Sequence, residues 1–336
     1  MRHWPLVACA MVVGCGREQG AAPLEDDGCH AEPPPPPTGP PKGAVAARVA
    51  YAIRSVDYGE TTPWQTLGFD IDGNDTTADS TDVCVLHAGA ALSVHDNGVC
   101  GIDNAFGALL TPVFDTFAPS KNFAAYVTSS IASGGATDLL VLDPGDDTAR
   151  SGAFYDAAPL GYPPRWDGTD VWSVDVASLD DRGNPMLAFP AGYANGQSWV
   201  GAPATGDGMF TMGPSPRSPP FHVPVTHVRI SVSLNADGSV NGVFSGILPA
   251  VSLATAIERY ADEVSPSLCT ADYFPAVSTQ VLQAADILVD GTQSTGMACD
   301  AVSIGFAFTA SQVVLGPAVS VPEMGDPCAG DAGAGD

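Results

Sequence analysis

Lysine is almost absent. Lys42 and Lys121 are the whole complement in 336 residues, and 12 basic side chains stand against 38 acidic ones, a net charge of −26. A chain of this sign offers no cationic surface to a phosphate backbone, which argues against nucleic acid as a partner. It also lacks an electrostatic patch for anionic membrane. Cys-x-x-Cys does not occur, so a structural zinc cluster is not expected. Several catalytic patterns are missing too: His-Glu-x-x-His, Gly-x-Ser-x-Gly, Ser-x-x-Lys and the phosphate loop ending in Gly-Lys-Ser/Thr. Gly196-Gln-Ser-Trp-Val-Gly201 only approaches the second of these. Charge is scarce overall, at 15% of residues against 45% hydrophobic, so the composition supports a large core rather than disorder.

The N-terminus is where the chain is most specific. Arg2 precedes a short apolar run, Leu6 to Val13, and the sequence turns polar after Gly14-Cys15. The run is too short to span a bilayer as a helix and has the layout of a secretory signal. Cys15 follows a small residue, and the segment resembles the lipobox of bacterial lipoproteins. Leu6-Val-Ala-Cys9 has similar chemistry but leaves too little signal before it. The expectation is a signal peptide over 1–14 and lipidation at Cys15. Several acyl chains at ~0.8 kcal/mol per buried CH₂ make such an anchor effectively permanent. Gly16 after that Cys is, in the lipoproteins it resembles, compatible with the outer membrane.

Six cysteines remain after Cys9 and Cys15: Cys29, Cys84, Cys100, Cys269, Cys299 and Cys328. An even number in an oxidising compartment reads as disulfides, with 15 possible pairings. Local pairings are expected, Cys84–Cys100 and Cys269–Cys299, with Cys29 left to Cys328 or unpaired.

Residues 15–42 read as a lipidated Cys and a tether, because Pro33 to Pro37 favour polyproline II, a stiff spacer. Residues 323–336 read as a flexible tail. Between them, 43–322 is expected to form a β-rich extracytoplasmic domain. Alternating apolar runs at 171–176 and 223–234 predict strands, with further strands at 139–142, 240–247 and 301–314. Asn235-Ala-Asp-Gly-Ser239 predicts a hairpin between two of them. Helices are predicted over 104–117, with Asp103 as N-cap and Pro112 interrupting it, and over 121–133, 252–263 and 277–285. The fold class expected is α+β, mainly antiparallel β with a sandwich-like core and a few short helices.

Residues 55–120 hold ten acids and no lysine or arginine. The densest part runs Asp70-Ile-Asp72-Gly-Asn74-Asp75, and Asp103 lies in a second part that a Cys84–Cys100 bond would draw close. Carboxylates crowded without a cation repel each other, and a hard divalent ion would neutralise them. Calcium, with 6–8 oxygen ligands and tolerance of irregular loops, fits better than magnesium. Asp70, Asp72, Asn74, Asp75 and Asp103 are the candidate ligands. The loop is not an EF-hand, since its sixth position is Asp75 and its twelfth Thr81. The alternative is a solvated turn whose aspartates cap backbone amides.

His222 and His227 lie five apart on a strand and are expected on opposite faces, which opposes a shared metal; His3, His30 and His95 are scattered. Trp64, Trp166, Trp172 and Trp199 read chiefly as core and rim residues, with stacking on sugars as the alternative. Together with the lipobox and Pro-rich segment, Leu67-Gly-Phe-Asp-Ile-Asp-Gly73 and Gly101-Ile-Asp-Asn-Ala-Phe-Gly107 resemble uncharacterised secreted lipoproteins of myxobacterial type. That resemblance implies a location and no catalytic residue. The function expected is a membrane-anchored binding or structural lipoprotein with an unknown extracellular ligand. The alternative is a carbohydrate-active or other hydrolase built on an Asp/Glu pair.

Overall fold

The computed structural model describes residues 29–322 except 44, 46, 118–121, 203, 205–206, 213–220 and 265–273. Cys15 and the tail 323–336 lie outside the described residues. The architecture is mixed α+β, a large and mostly antiparallel sheet with four short helices among the described residues.

Eleven strands follow one another as β1 Val49–Asp57, β2 Thr137–Leu142, β3 Gly152–Ala157, β4 Val171–Asp175, β5 Leu187–Phe189, β6 Tyr193–Asn195, β7 Ser198–Gly201, β8 Gly208–Met212, β9 Phe221–Leu234, β10 Ser239–Pro249 and β11 Ala301–Val319. The predicted hairpin is β9–β10, with Val240 opposite Leu234. The spine is β11. It pairs antiparallel with β10 over its first half, with β1 along 307–313, and parallel with β4 from Val314. β1, β2, β3 and β4 pair in turn, so with β11 the pairings close a ring.

Burial follows from this arrangement. β2 and β3 are buried at every position because both faces are covered. Ala52, Leu139, Val141, Ala153, Trp172 and Val174 form one small cluster on one face. Leu140, Leu142 and Phe154 on the other face join the main core with β7 to β11 and the helices. Fully burying side chains of this size contributes about 1.5–3 kcal/mol each.

The helices are α1 Thr111–Phe117, α2 Phe123–Ala132, α3 Ala250–Val264 and α4 Phe274–Gln283. Three predictions at helix ends are corrected. Asp103 does not cap this helix, its Oδ2 accepting the Ile71 N–H instead; Phe106–Leu110 form a π-turn, and Asn104 Oδ1 accepts the Gly107 N–H at 3.0 Å. Pro112 does not interrupt the helix: the helical run passes through it, with the π-turn of Phe106–Leu110 directly before the proline that cannot donate a backbone hydrogen bond. Ser252 lies inside α3, which starts at Ala250 directly from β10.

The tether is corrected over residues 29–42. Cys29 is disulfide-bonded to Cys100. Pro34 and Pro35 carbonyls accept hydrogen bonds from Tyr193 Oη (2.5 Å) and Asn195 Nδ2 (2.9 Å), and Lys42 N–H donates to Asp147 Oδ1 at 2.6 Å. The proline run is therefore strapped to β6. Proline cannot donate a backbone hydrogen bond, but its carbonyls still accept from side chains.

Candidate metal centre

The disulfides decide how the acidic segment is held, and both expected pairings are corrected. Cys100 bonds Cys29, and Cys84 bonds Cys299 across 215 residues. Cys269 lies outside the described residues. Spacing favoured local closure, but the segment that leads into β11 runs alongside Val85: the Val85 N–H donates to the Met297 carbonyl at 2.7 Å and the Cys299 N–H to the Val85 carbonyl at 3.0 Å.

The acidic loop lies flat on the outer face of β10 and β11. Small residues permit this contact. A Cβ on Gly305 would come 2.2 Å from the Leu67 carbonyl. Ser245 Oγ accepts the Phe69 N–H at 2.8 Å. Ile71 anchors the loop by packing with Ile247, Ile287 and Ala301.

Asp70, Asp72 and Asp103 converge there, each with an oxygen within 4.8 Å of the other two. Asp70 and Asp103 are buried, at 2% and 3% exposure. Asp75 is exposed and outside this group, and Asn74 turns its side-chain nitrogen to the Asp72 carbonyl at 3.1 Å. The candidate ligand set is thus reduced to three of the five predicted residues. Gly101, at φ +75°, lets the backbone close over the site: a Cβ would stand 3.1 Å from Asp70 Oδ2.

Neighbours that the sequence reading missed complete the site. Asp286, buried, is a fourth carboxyl outside that trio but near enough for its charge to act on Asp103. Its signal was a lone acid inside the apolar run Ala284-Ala-Asp-Ile-Leu288. Ser303 donates to it from N–H (2.8 Å) and Oγ (2.6 Å). His30 Nδ1 lies 2.5 Å from Asp70 Oδ2, brought there by the Cys29–Cys100 bond. Arg229 donates to the carbonyls of Asp70 and Ile71, the latter at 3.2 Å. Gln293 Nε2 donates to Asp72 Oδ2 at 2.8 Å, and Asn97 Nδ2 to Asp103 Oδ1 at 2.6 Å. Backbone N–H groups of Ile71 and Gly73 donate to Asp103 and Asp70.

The electrostatics are those of crowded acids. Burial, then the charges of Asp72 and Asp286, pushes the Asp103 carboxyl well above the usual range. Burial pushes Asp286 up to about 7 against the pull of Ser303, with Asp72 adding to the rise. Burial also raises Asp72, opposed by Gln293 and Asn74. Such a group holds protons or takes a cation. A carboxylate oxygen that accepts one N–H keeps a second lone pair, so the hydrogen bonds and an ion are compatible.

A second acid pair lies elsewhere. Asp138 on β2 stands directly opposite Asp156 on β3, and both are buried. Asp138 Oδ1 and Asp156 Oδ2 have no hydrogen-bond partner among the described residues. His222 Nδ1 is 3.5 Å from Asp156 Oδ2 and 2.9 Å from Thr211 Oγ1. Burial, then the charge of Asp156, raises the Asp138 carboxyl far above its ordinary value.

The histidine expectation is corrected as well. A bulge between Ser245 and Ile247 admits an extra residue on β9, and His227 takes φ +53°. Burial switches from Val223 and Val225 to Val228, Ile230 and Val232, so strict alternation between His222 and His227 is lost. The remaining histidine, His87, which the sequence reading passed over, bonds the Cys299 carbonyl at 2.8 Å.

No family model, curated protein or solved structure matches this chain. Among the described residues no helix is long and apolar enough to cross a membrane.

Proposed function

We propose that this chain is an extracytoplasmic lipoprotein of the cell envelope, anchored in the outer membrane through lipid on Cys15. Its β-rich domain binds an extracellular ligand and holds calcium in the acidic centre. The observation that carries the calcium reading is the convergence of Asp70, Asp72 and Asp103 beside Asp286, with His30 the one basic side chain at their carboxylates among the described residues. Hard oxygen donors from an irregular loop suit calcium. The signal layout of residues 1–15 supports export, as do two disulfides among the described residues.

Binding is preferred to hydrolysis because of where the carboxylates lie. Asp138 and Asp156 face each other but line neither of the two described cavities. The carboxylate that does line one, Asp57, accepts four backbone N–H groups, from Gly59 to Thr62, and is spent as a turn cap.

Thermal unfolding with calcium and with EGTA tests the ion. Saturating calcium should raise Tm by several degrees, and an unchanged Tm removes calcium from the reading. Labelled palmitate should enter the wild-type chain and not Cys15→Ala; equal labelling of both would refute the anchor.

A further inference from the structure

We infer that the outer face of β9, β10, β11 and β1 is a binding groove for a neutral saccharide, with Trp166 as its aromatic platform. This names the ligand class for the binding role proposed above and rests on that reading.

The acidic loop covers only one end of this sheet face. The rest is open, and its register places one row of small polar side chains across four strands. Ser233 pairs with Asn241, Asn241 with Thr309, and Thr309 with Ser55. These residues floor two cavities of about 530 Å³ each, which meet at Ser55, Asn241 and Thr309. Phe69 walls one cavity and Trp166 the other.

The polar groups of the floor are largely unspent. Ser55 Oγ and Thr309 Oγ1 bond each other at 2.5 Å. The side chains of Asn241, Ser231 and Ser233 hydrogen-bond no described residue and are at least partly exposed. Hydroxyls and amides that now face water are the donors and acceptors that a sugar's hydroxyls match. Charge selects against other ligands. The chain's −26 opposes anions. Asp57 is saturated by amides, so it is a poor partner for a cation. Arg54, at the Trp166 end, is the one basic side chain among the cavity residues.

Trp166 differs from the other tryptophans. Trp172 and Trp199 are fully buried, and Trp64, partly exposed, lines neither cavity. Trp166 is half-buried, lines the cavity and holds φ +59°. A non-glycine residue in this region costs on the order of 1–3 kcal/mol and persists only where its surroundings impose it. Here Asp170 Oδ2 accepts the Trp166 N–H at 2.7 Å, and the ring stacks on Trp172 at 6.2 Å. The ring is thus fixed at the mouth of a hydroxyl-lined groove. An aromatic face that covers a sugar's C–H face, flanked by hydroxyls and an amide, is a saccharide site in chemical terms.

The test is titration of the full chain with neutral gluco-, manno- and galacto-configured tetrasaccharides, followed by tryptophan fluorescence and calorimetry. At least one should bind and perturb the fluorescence. Trp166→Ala should weaken that binding at least tenfold. Asn241→Leu, which fills the floor without touching the Trp166–Trp172 stack, should weaken it at least fivefold with an unchanged Tm. No binding by any tetrasaccharide overturns the groove, as does binding that survives both substitutions. An apolar dye that binds the groove where the sugars do not also overturns it. Calcium-dependent stabilisation without sugar binding would sink this inference and leave the proposed calcium site standing.

Discussion

The chain crowds carboxyls in two places and treats them differently. Around Asp70, Asp72, Asp103 and Asp286, backbone amides, His30, Gln293, Asn97 and Ser303 clothe the oxygens, and Asp72 keeps contact with solvent. Asp138 and Asp156 are sealed between β-strands, and each keeps an oxygen without a hydrogen bond among the described residues, that of Asp156 having only His222 Nδ1 at 3.5 Å. Loops can turn many N–H groups toward one point, whereas a strand's N–H groups are committed to its neighbours. The first arrangement is one an ion can enter. The second is relieved most simply by a proton, because two carboxylates in direct opposition do not both ionise in a core.

The largest effect should come from what holds the loop in place. Replacing Cys84 and Cys299 together with Ala removes a crosslink spanning 215 residues. This should cost ~2–5 kcal/mol in urea unfolding. A loss below ~1 kcal/mol would mean that β11 alone fixes the acidic loop.

Next comes the distinction between ion and proton. Asp103→Asn should abolish the rise in Tm with calcium, whereas Asp138→Asn should leave it intact. If the second variant removes the calcium response, the two acid clusters are not independent.

The pH profile sharpens the contrast. The carboxyls of Asp103, Asp138 and Asp286 are raised in the fold, so the folded state binds more protons than the unfolded one. Their contribution is fully present below the ordinary carboxylate range near ~4, and it is lost as pH rises through the folded values. For Asp286 that loss runs upward from the ordinary carboxylate range and is complete just above about 7. Without calcium the urea midpoint should therefore fall between pH 5 and pH 8. Calcium should restore more stability at pH 8 than at pH 5, because protons compete for the same oxygens. A calcium effect independent of pH would contradict a shared carboxylate site.

The smallest effect concerns Asp138→Asn alone. It removes an ionisable group whose charged form the core disfavours, so it should raise stability at pH 8 by about 1 kcal/mol and change little at pH 5. Equal destabilisation at both values would show that the carboxylate itself is needed.

Much of the fold was legible from local pattern. The alternation of Val223 to Leu234, the Asp-Gly turn and the apolar run after Ala301 marked β9, β10 and β11, because a half-buried strand imposes period two on its sequence. The acidic loop was legible from a scarcity of cations between residues 55 and 120. The proline run was misread as a spacer because its composition is the same whether it hangs free or is strapped to Tyr193 and Asn195.

Local sequence thus determined which segments extend, which coil into helices and where acid accumulates, since each depends on neighbours within a few residues. Tertiary structure alone decided that Cys29 meets Cys100 and Cys84 meets Cys299. It also brought Asp286, His30, Gln293 and Arg229 from distant segments to Asp70, Asp72 and Asp103, and left one end of a sheet face open beside Trp166. Those contacts depend on how β11 is shared among β1, β4 and β10. Strand pairing over such separations is set by the packing of the whole core and leaves no mark in local periodicity.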